Sequence, residues 1–131
     1  MRPLLLAAAL AVAGCDSAIF DPSLVCTAEF VTINVEVVDD FGRSIDGLTY
    51  RSVHERTGET LNIDEDSVGD LTGLYPVATD AHTSLLRVDG DDVLFSATGN
   101  GLVARARFVL ADDGCHVRKE DGPDRIVAEP M

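Results

Sequence analysis

The sequence predicts an all-β fold, a single antiparallel β-sandwich of about seven strands. Three observations carry that prediction. Two segments, around residues 30–37 and 102–110, alternate between apolar and other side chains, the period of a half-buried strand. After residue 14 no window keeps a 3.6-residue apolar spacing for the length of a globular helix. Clusters of Gly, Asp and Ser punctuate the apolar runs at short intervals.

The elements follow in order. In "EFVTINVEVVDD" Val31, Ile33, Val35 and Val37 share one face, opposite Phe30, Thr32, Asn34 and Glu36. The turn-rich "DDFGRSIDG" then leads into "LTYRSVHERT", a second strand closed by Thr57-Gly58, and the spacing predicts a hairpin with a loop longer than two residues. Residues 59–73, "ETLNIDEDSVGDLTG", read as an acidic loop with one short strand around Leu61. "LYPVATD" and "TSLLRVDGDDVLFSATG" supply further strands, the latter folding back at Asp89-Gly90-Asp91. In "GLVARARFVLADDG", Leu102, Ala104, Ala106, Phe108 and Leu110 face one way and Val103, Arg105, Arg107 and Val109 the other. "CHVRKEDGP" is expected as a terminal strand. With no tryptophan, the core must come from Val, Leu, Ile and the five phenylalanines.

Val38-Asp39-Asp40-Phe41-Gly42-Arg43-Ser44-Ile45-Asp46-Gly47-Leu48-Thr49-Tyr50 resembles the opening of carboxypeptidase regulatory-like domains, which are transthyretin-like β-sandwiches. The resemblance continues through Asp70-Leu71-Thr72-Gly73-Leu74-Tyr75 and more loosely from Val93 to Gly101, so it covers roughly residues 31–110. The acidic loop and "PVATDAHTSLLRVDGDD" stretch the family's usual spacing. The resemblance implies a non-catalytic appendage or an adhesive or structural module, with no active-site residues to carry over.

The chain begins with the layout of an export signal: Arg2, an apolar run from Leu4 to Ala13, then small residues before Cys15. A transmembrane helix needs about 20 apolar residues, and Gly14 and Asp16 end this run well short of that. Val12-Ala13-Gly14-Cys15 resembles the lipobox of bacterial lipoproteins, which implies cleavage before Cys15 and lipid on its sulfur. A buried short helix and an ordinary secretory signal are the alternatives. The organisation expected is a signal peptide over 1–14, a flexible tether over 15–25 and one β-sandwich domain over 26–131, anchored to a membrane of a bacterial cell envelope with the domain outside the cytoplasm. Cys15 taken by lipid leaves Cys26 and Cys115, and an exported protein permits a disulfide between them. Two buried free thiols are the competing reading.

Without residues 1–14 the chain carries 9 basic and 23 acidic residues, a formal charge of −14. Nucleic acid is excluded as a partner by that sign, and an anionic membrane surface offers nothing beyond the lipid. Solubility, cation binding and adaptation to high salt all account for the acidity. No cofactor is expected. His54, His82 and His116 fall on different elements without a nucleophile motif, and surface or edge positions suit them best. No paired Cys or His spacing suits zinc. Asn62, Asp64 and Asp66 imitate the start of an EF-hand loop, but Ser67 replaces its glycine and Gly73 its bidentate Glu. Asp89, Asp91 and Asp92, or Asp112 and Asp113, remain candidates for a weak calcium site, against plain turn residues.

Arg105 and Arg107 form the one concentrated basic feature, a candidate contact for an anionic glycan or an acidic protein partner. Cross-strand pairing with nearby acids is the structural alternative. The function expected is a non-enzymatic, membrane-tethered binding or structural module. An inhibitor or accessory subunit of an envelope enzyme, with the loop from Asn62 to Asp70 as its contact, is the alternative, and a small hydrolase the more distant rival.

Overall fold

A computed structural model describes residues 25–65 and 72–131. The expected signal segment, Cys15 and most of the tether lie outside the described residues, as does the centre of the acidic loop. Among the described residues eight strands form two packed sheets: β1 Thr32–Val38, β2 Thr49–His54, β3 Leu74–Thr79, β4 Asp91–Gly99, β5 Leu102–Asp112, β6 Val117–Asp121, β7 Arg125–Val127 and β8 Glu129–Pro130. One sheet has the order β3-β1-β7; the other runs β2-β4-β5-β6, with β8 also on β5. The molecule is an all-β sandwich. Among the described residues no helix is long and apolar enough to cross a membrane.

The two alternating segments behave as their patterns require. Val35 and Val37 are fully buried, with Val31 and Ile33 packed against the same core. From β5, Ala104, Phe108 and Leu110 face inward and meet Val93, Phe95 and Ala97 of β4. Phe95 and Phe108 meet edge to face, with ring centroids 6.3 Å apart, a favoured aromatic geometry. Gly122 lies so close to Phe108 that a Cβ there would fall 2.3 Å from the ring. The expectation that all phenylalanines build the core fails, because Phe30 and Phe41 are 51 % and 82 % exposed. Tyr75 takes a core place instead. Its hydroxyl donates to the Ile45 carbonyl at 2.6 Å and accepts from the Leu48 N–H at 3.2 Å, satisfying its polar end.

Four connections differ from expectation. β1 and β2 form no hairpin: they lie in different sheets, and the chain between them crosses the sandwich. The crossover begins as a tight loop in which Asp39 Oδ1 accepts from the Phe41 and Arg43 N–H groups, and Val38 bridges Ser44. Residues 80–85 form a 3-10 helix rather than a strand. Thr79 caps it by accepting from the Ala81 N–H, while His82 Nδ1 accepts from the Thr79 N–H. This reciprocal capping captures backbone groups that a ladder would otherwise use. The hairpin tip is not Asp89-Gly90-Asp91, since Asp91 already starts β4. β4 turns into β5 at Asn100-Gly101, whose φ values of 52° and 74° match the two-residue turn that follows strand twist. Finally, β7 runs parallel to β1, pairing Val37 with Ile126, so the sandwich is not wholly antiparallel.

Candidate functional site

The outer face of the β2-β4-β5 sheet is built in rows by strand register. Arg51, Ser96 and Arg105 form one row across the three strands, and Val53, Leu94 and Arg107 form the next. Alternation along each strand turns these side chains outward while Ser52, Phe95, Ala104 and Phe108 turn inward. The two rows line a shallow open depression of about 500 Å³. Leu94 is 38 % exposed within it.

The charges on this face divide sharply. Arg107 sits at one end, with Nη1 2.6 Å from Glu55 Oε2 and 3.2 Å from Asp92 Oδ2. The cross-strand pairing considered for both arginines therefore accounts for Arg107. Among the described residues Arg105 makes no ion pair, and neither does Arg51 on the far side of Ser96. Every other described cation does: Arg43 with Asp39, Arg56 and Arg87 with Asp91, Arg118 with Glu120, Lys119 with Asp124 and Arg125 with Glu36. Among the described residues, Arg51 and Arg105 are the two cations without a carboxylate partner. Arg51 was not singled out from the sequence, because only the pairing of β2 with β4 brings it beside Ser96 and Arg105.

The histidines are not surface or edge groups as a set. His54 is fully buried and His82 nearly so. His54 Nε2 donates to Asp91 Oδ2 at 3.0 Å, and its Nδ1 lies 2.8 Å from Thr57 Oγ1. His116 repeats the pattern, with Nδ1 2.6 Å from Asp80 Oδ2 and Nε2 2.9 Å from Thr27 Oγ1. Both trios follow the hydroxyl–imidazole–carboxylate order of a nucleophile, its base and an orienting acid. Their carboxylates are committed elsewhere. Asp91 also accepts from Arg56, from the Arg87 side chain and from the Arg87 N–H. Burial opposes its ionisation, but the Arg56, His54 and Arg87 donors prevail and hold it well below the usual carboxylate range. Asp80 likewise accepts the N–H groups of Val31 and Val117, which outweigh its burial and hold its carboxyl low. In turn, the hydrogen bond to Asp80 raises the His116 pKa. These trios fasten loops to strands, and sequence reading missed them because their members lie 37 and 36 residues apart.

The acidic turns are also occupied. Asp91 is interior to the fold, 3 % exposed, so it belongs to no hairpin-tip metal site. Asp92 pairs with Arg107, Asp112 caps the Gly114 N–H, and Asp113 accepts from the Cys115 and His116 N–H groups. Among the described residues no group of three His, Cys, Asp or Glu side chains converges as a metal site. Cys26 and Cys115 are joined as a disulfide, with Cα atoms 5.2 Å apart. No protein-family model, no curated protein and no solved structure matches this chain.

Proposed function

We propose that the chain is a non-enzymatic binding module tethered to a bacterial envelope membrane through lipid on Cys15, with the outer face of the β2-β4-β5 sheet as its working surface. The observation that carries the reading is the position of Arg51 and Arg105. In a chain of net charge −13, two unneutralised guanidiniums stand together beside exposed Leu94. The net charge opposes the distant approach of a like molecule and of an acidic partner alike, so an acidic partner is held here at contact, where the two unpaired guanidiniums meet its carboxylates at separations within a Debye length. The lipobox-like Val12-Ala13-Gly14-Cys15 supports the tether, and the entry of the folded domain at Cys26 leaves about ten residues of reach between membrane and sandwich. The saturation of Asp91 and Asp80 supports a binding role over hydrolysis.

A photo-crosslinking residue in place of Ser96, in the full chain produced in an envelope-bearing bacterium, tests the surface. A discrete protein adduct from position 96 that is missing when the same residue replaces Asp40 is the expected result. Equal adducts at both positions, or none at either, would contradict the assignment of this face.

A further inference from the structure

We infer that the row Arg51, Ser96 and Arg105 is a carboxylate-binding site for an extended acidic segment of a protein partner. This rests on the proposed binding face and names what that face grips. Arg51 and Arg105 are each paired in register with Ser96, so their Cα atoms stand two strand spacings apart, about 9.5 Å. All three residues line one depression, and an arginine side chain is long enough for both guanidiniums to reach a ligand seated over Ser96. Each guanidinium offers a planar fork of donors matched to a carboxylate, which a lysine would lack. Carboxylates at alternate residues of an extended peptide project from one side at about 6.6 to 6.8 Å, a span within reach of two long side chains whose Cα atoms flank Ser96.

The neighbouring row selects the kind of partner. Val53 and Leu94 extend the site with an aliphatic surface, suited to a peptide's apolar side chain. A sugar ring prefers an aromatic platform, and the aromatic residues of these three strands do not supply one: Phe95 and Phe108 are buried, and Tyr50 packs edge to face on Tyr75. Arg107, already neutralised by Glu55 and Asp92, bounds the site at one end. The acids there also turn away a second carboxylate, which fixes the direction in which the acidic residues lie.

The test uses the purified full chain and a fluorescein-labelled peptide with two glutamates separated by one serine and followed by a leucine. Fluorescence anisotropy should show saturable binding that weakens several-fold in 0.5 M sodium chloride, by about the screening expected for exposed charges. Replacing both glutamates by glutamine should cost at least about tenfold in affinity, and so should the double variant Arg51→Ser/Arg105→Ser, since each loses charge-assisted hydrogen bonds. Neither arginine holds another residue by an ion pair, so the double variant should melt within about 2 °C of the parent, as surface substitutions do. The double variant Arg43→Ser/Arg118→Ser, which also removes two positive charges but away from this face, serves as a charge-matched control and should leave binding unchanged. Equal binding of the glutamine peptide, undiminished binding by the double variant, or no binding at millimolar peptide would overturn the inference. Preference for an oligogalacturonate over the peptide would also overturn it. A crosslink at position 96 accompanied by any of those results would leave the face standing as a binding surface and remove the acidic peptide as its ligand.

Discussion

Asp91 shows how one residue can be misjudged from its neighbours in the chain. Next to Asp89, Gly90 and Asp92 it looks like a turn acid, yet it is a buried carboxylate that accepts from three side chains and a backbone N–H. Its donors arrive from Arg56 and His54, far away in sequence, and from Arg87, whose role depends on the backbone folding beneath it. Arg51 is a parallel case: a lone arginine in "LTYRSVHERT" acquires meaning only when β2 pairs with β4. The Asp91→Asn substitution keeps the shape and removes the charge, leaving His54 buried without its acceptor's full strength. It should destabilise the fold by about 3 kcal/mol, in the range found when a buried charged network loses a member. The folded-state pKa of Asp91 is depressed, so its contribution is complete above the unfolded value near 3.9 and fades as pH falls through and below that value. Urea unfolding at pH 7 and pH 2.5 checks both points: the gap between parent and variant should be large at the first pH and shrink at the second.

At the scale of elements, strands with a clear period were legible and their connections were not. β1 and β5 announce themselves because one face is buried and the other is not, a pattern local to each strand. β7 and β8, of three and two residues, are too short to show any period, and they lie in different sheets. The 3-10 helix escaped because its capping by Thr79 and His82 is side-chain chemistry within an otherwise strand-like run. Tyr75, with its hydroxyl bonded to the 45–48 turn, gives a physical reason why the segment around Gly73 accompanies the earlier turn motif. Gly73 itself sits so close to Ser44 that a Cβ would fall 2.5 Å from the serine Cβ.

His116 joins three elements at once: it holds Asp80 of the 3-10 helix, meets Thr27 at the chain's entry and precedes β6. Its folded pKa is raised, so the stabilisation it gives is complete below the unfolded value near 6.5 and disappears as pH rises through the raised one. The melting temperature should therefore decline from pH 6 to pH 8.5, and His116→Gln should flatten that decline while lowering the melting point at pH 6. An undiminished slope in the variant would assign the pH response to another group.

For the whole molecule, the Cys26–Cys115 disulfide marks where the described fold begins, next to the proposed tether. The Cys26–Cys115 bridge closes a separation of 89 residues, joining the entry of the chain to the turn before β6. Closing a loop of that size removes up to roughly 4.6 kcal/mol of unfolded-state freedom in the chain-entropy model, a large share of the about 5 to 15 kcal/mol typical of a domain. The pairing was legible because three cysteines in a chain proposed to be exported call for a partition. The overall charge was legible too, while the clustering of its exceptions on one sheet face required the fold. The proposed arrangement is a sandwich held at a membrane by lipid on Cys15, and intact mass of the full chain recovered from bacterial membranes tests it most directly. The expected species is residues 15–131 with acyl chains on Cys15, and no cysteine alkylated until reductant is added, after which two are. A chain that retains residues 1–14, an unacylated Cys15, or alkylation of Cys26 and Cys115 without reduction would contradict it.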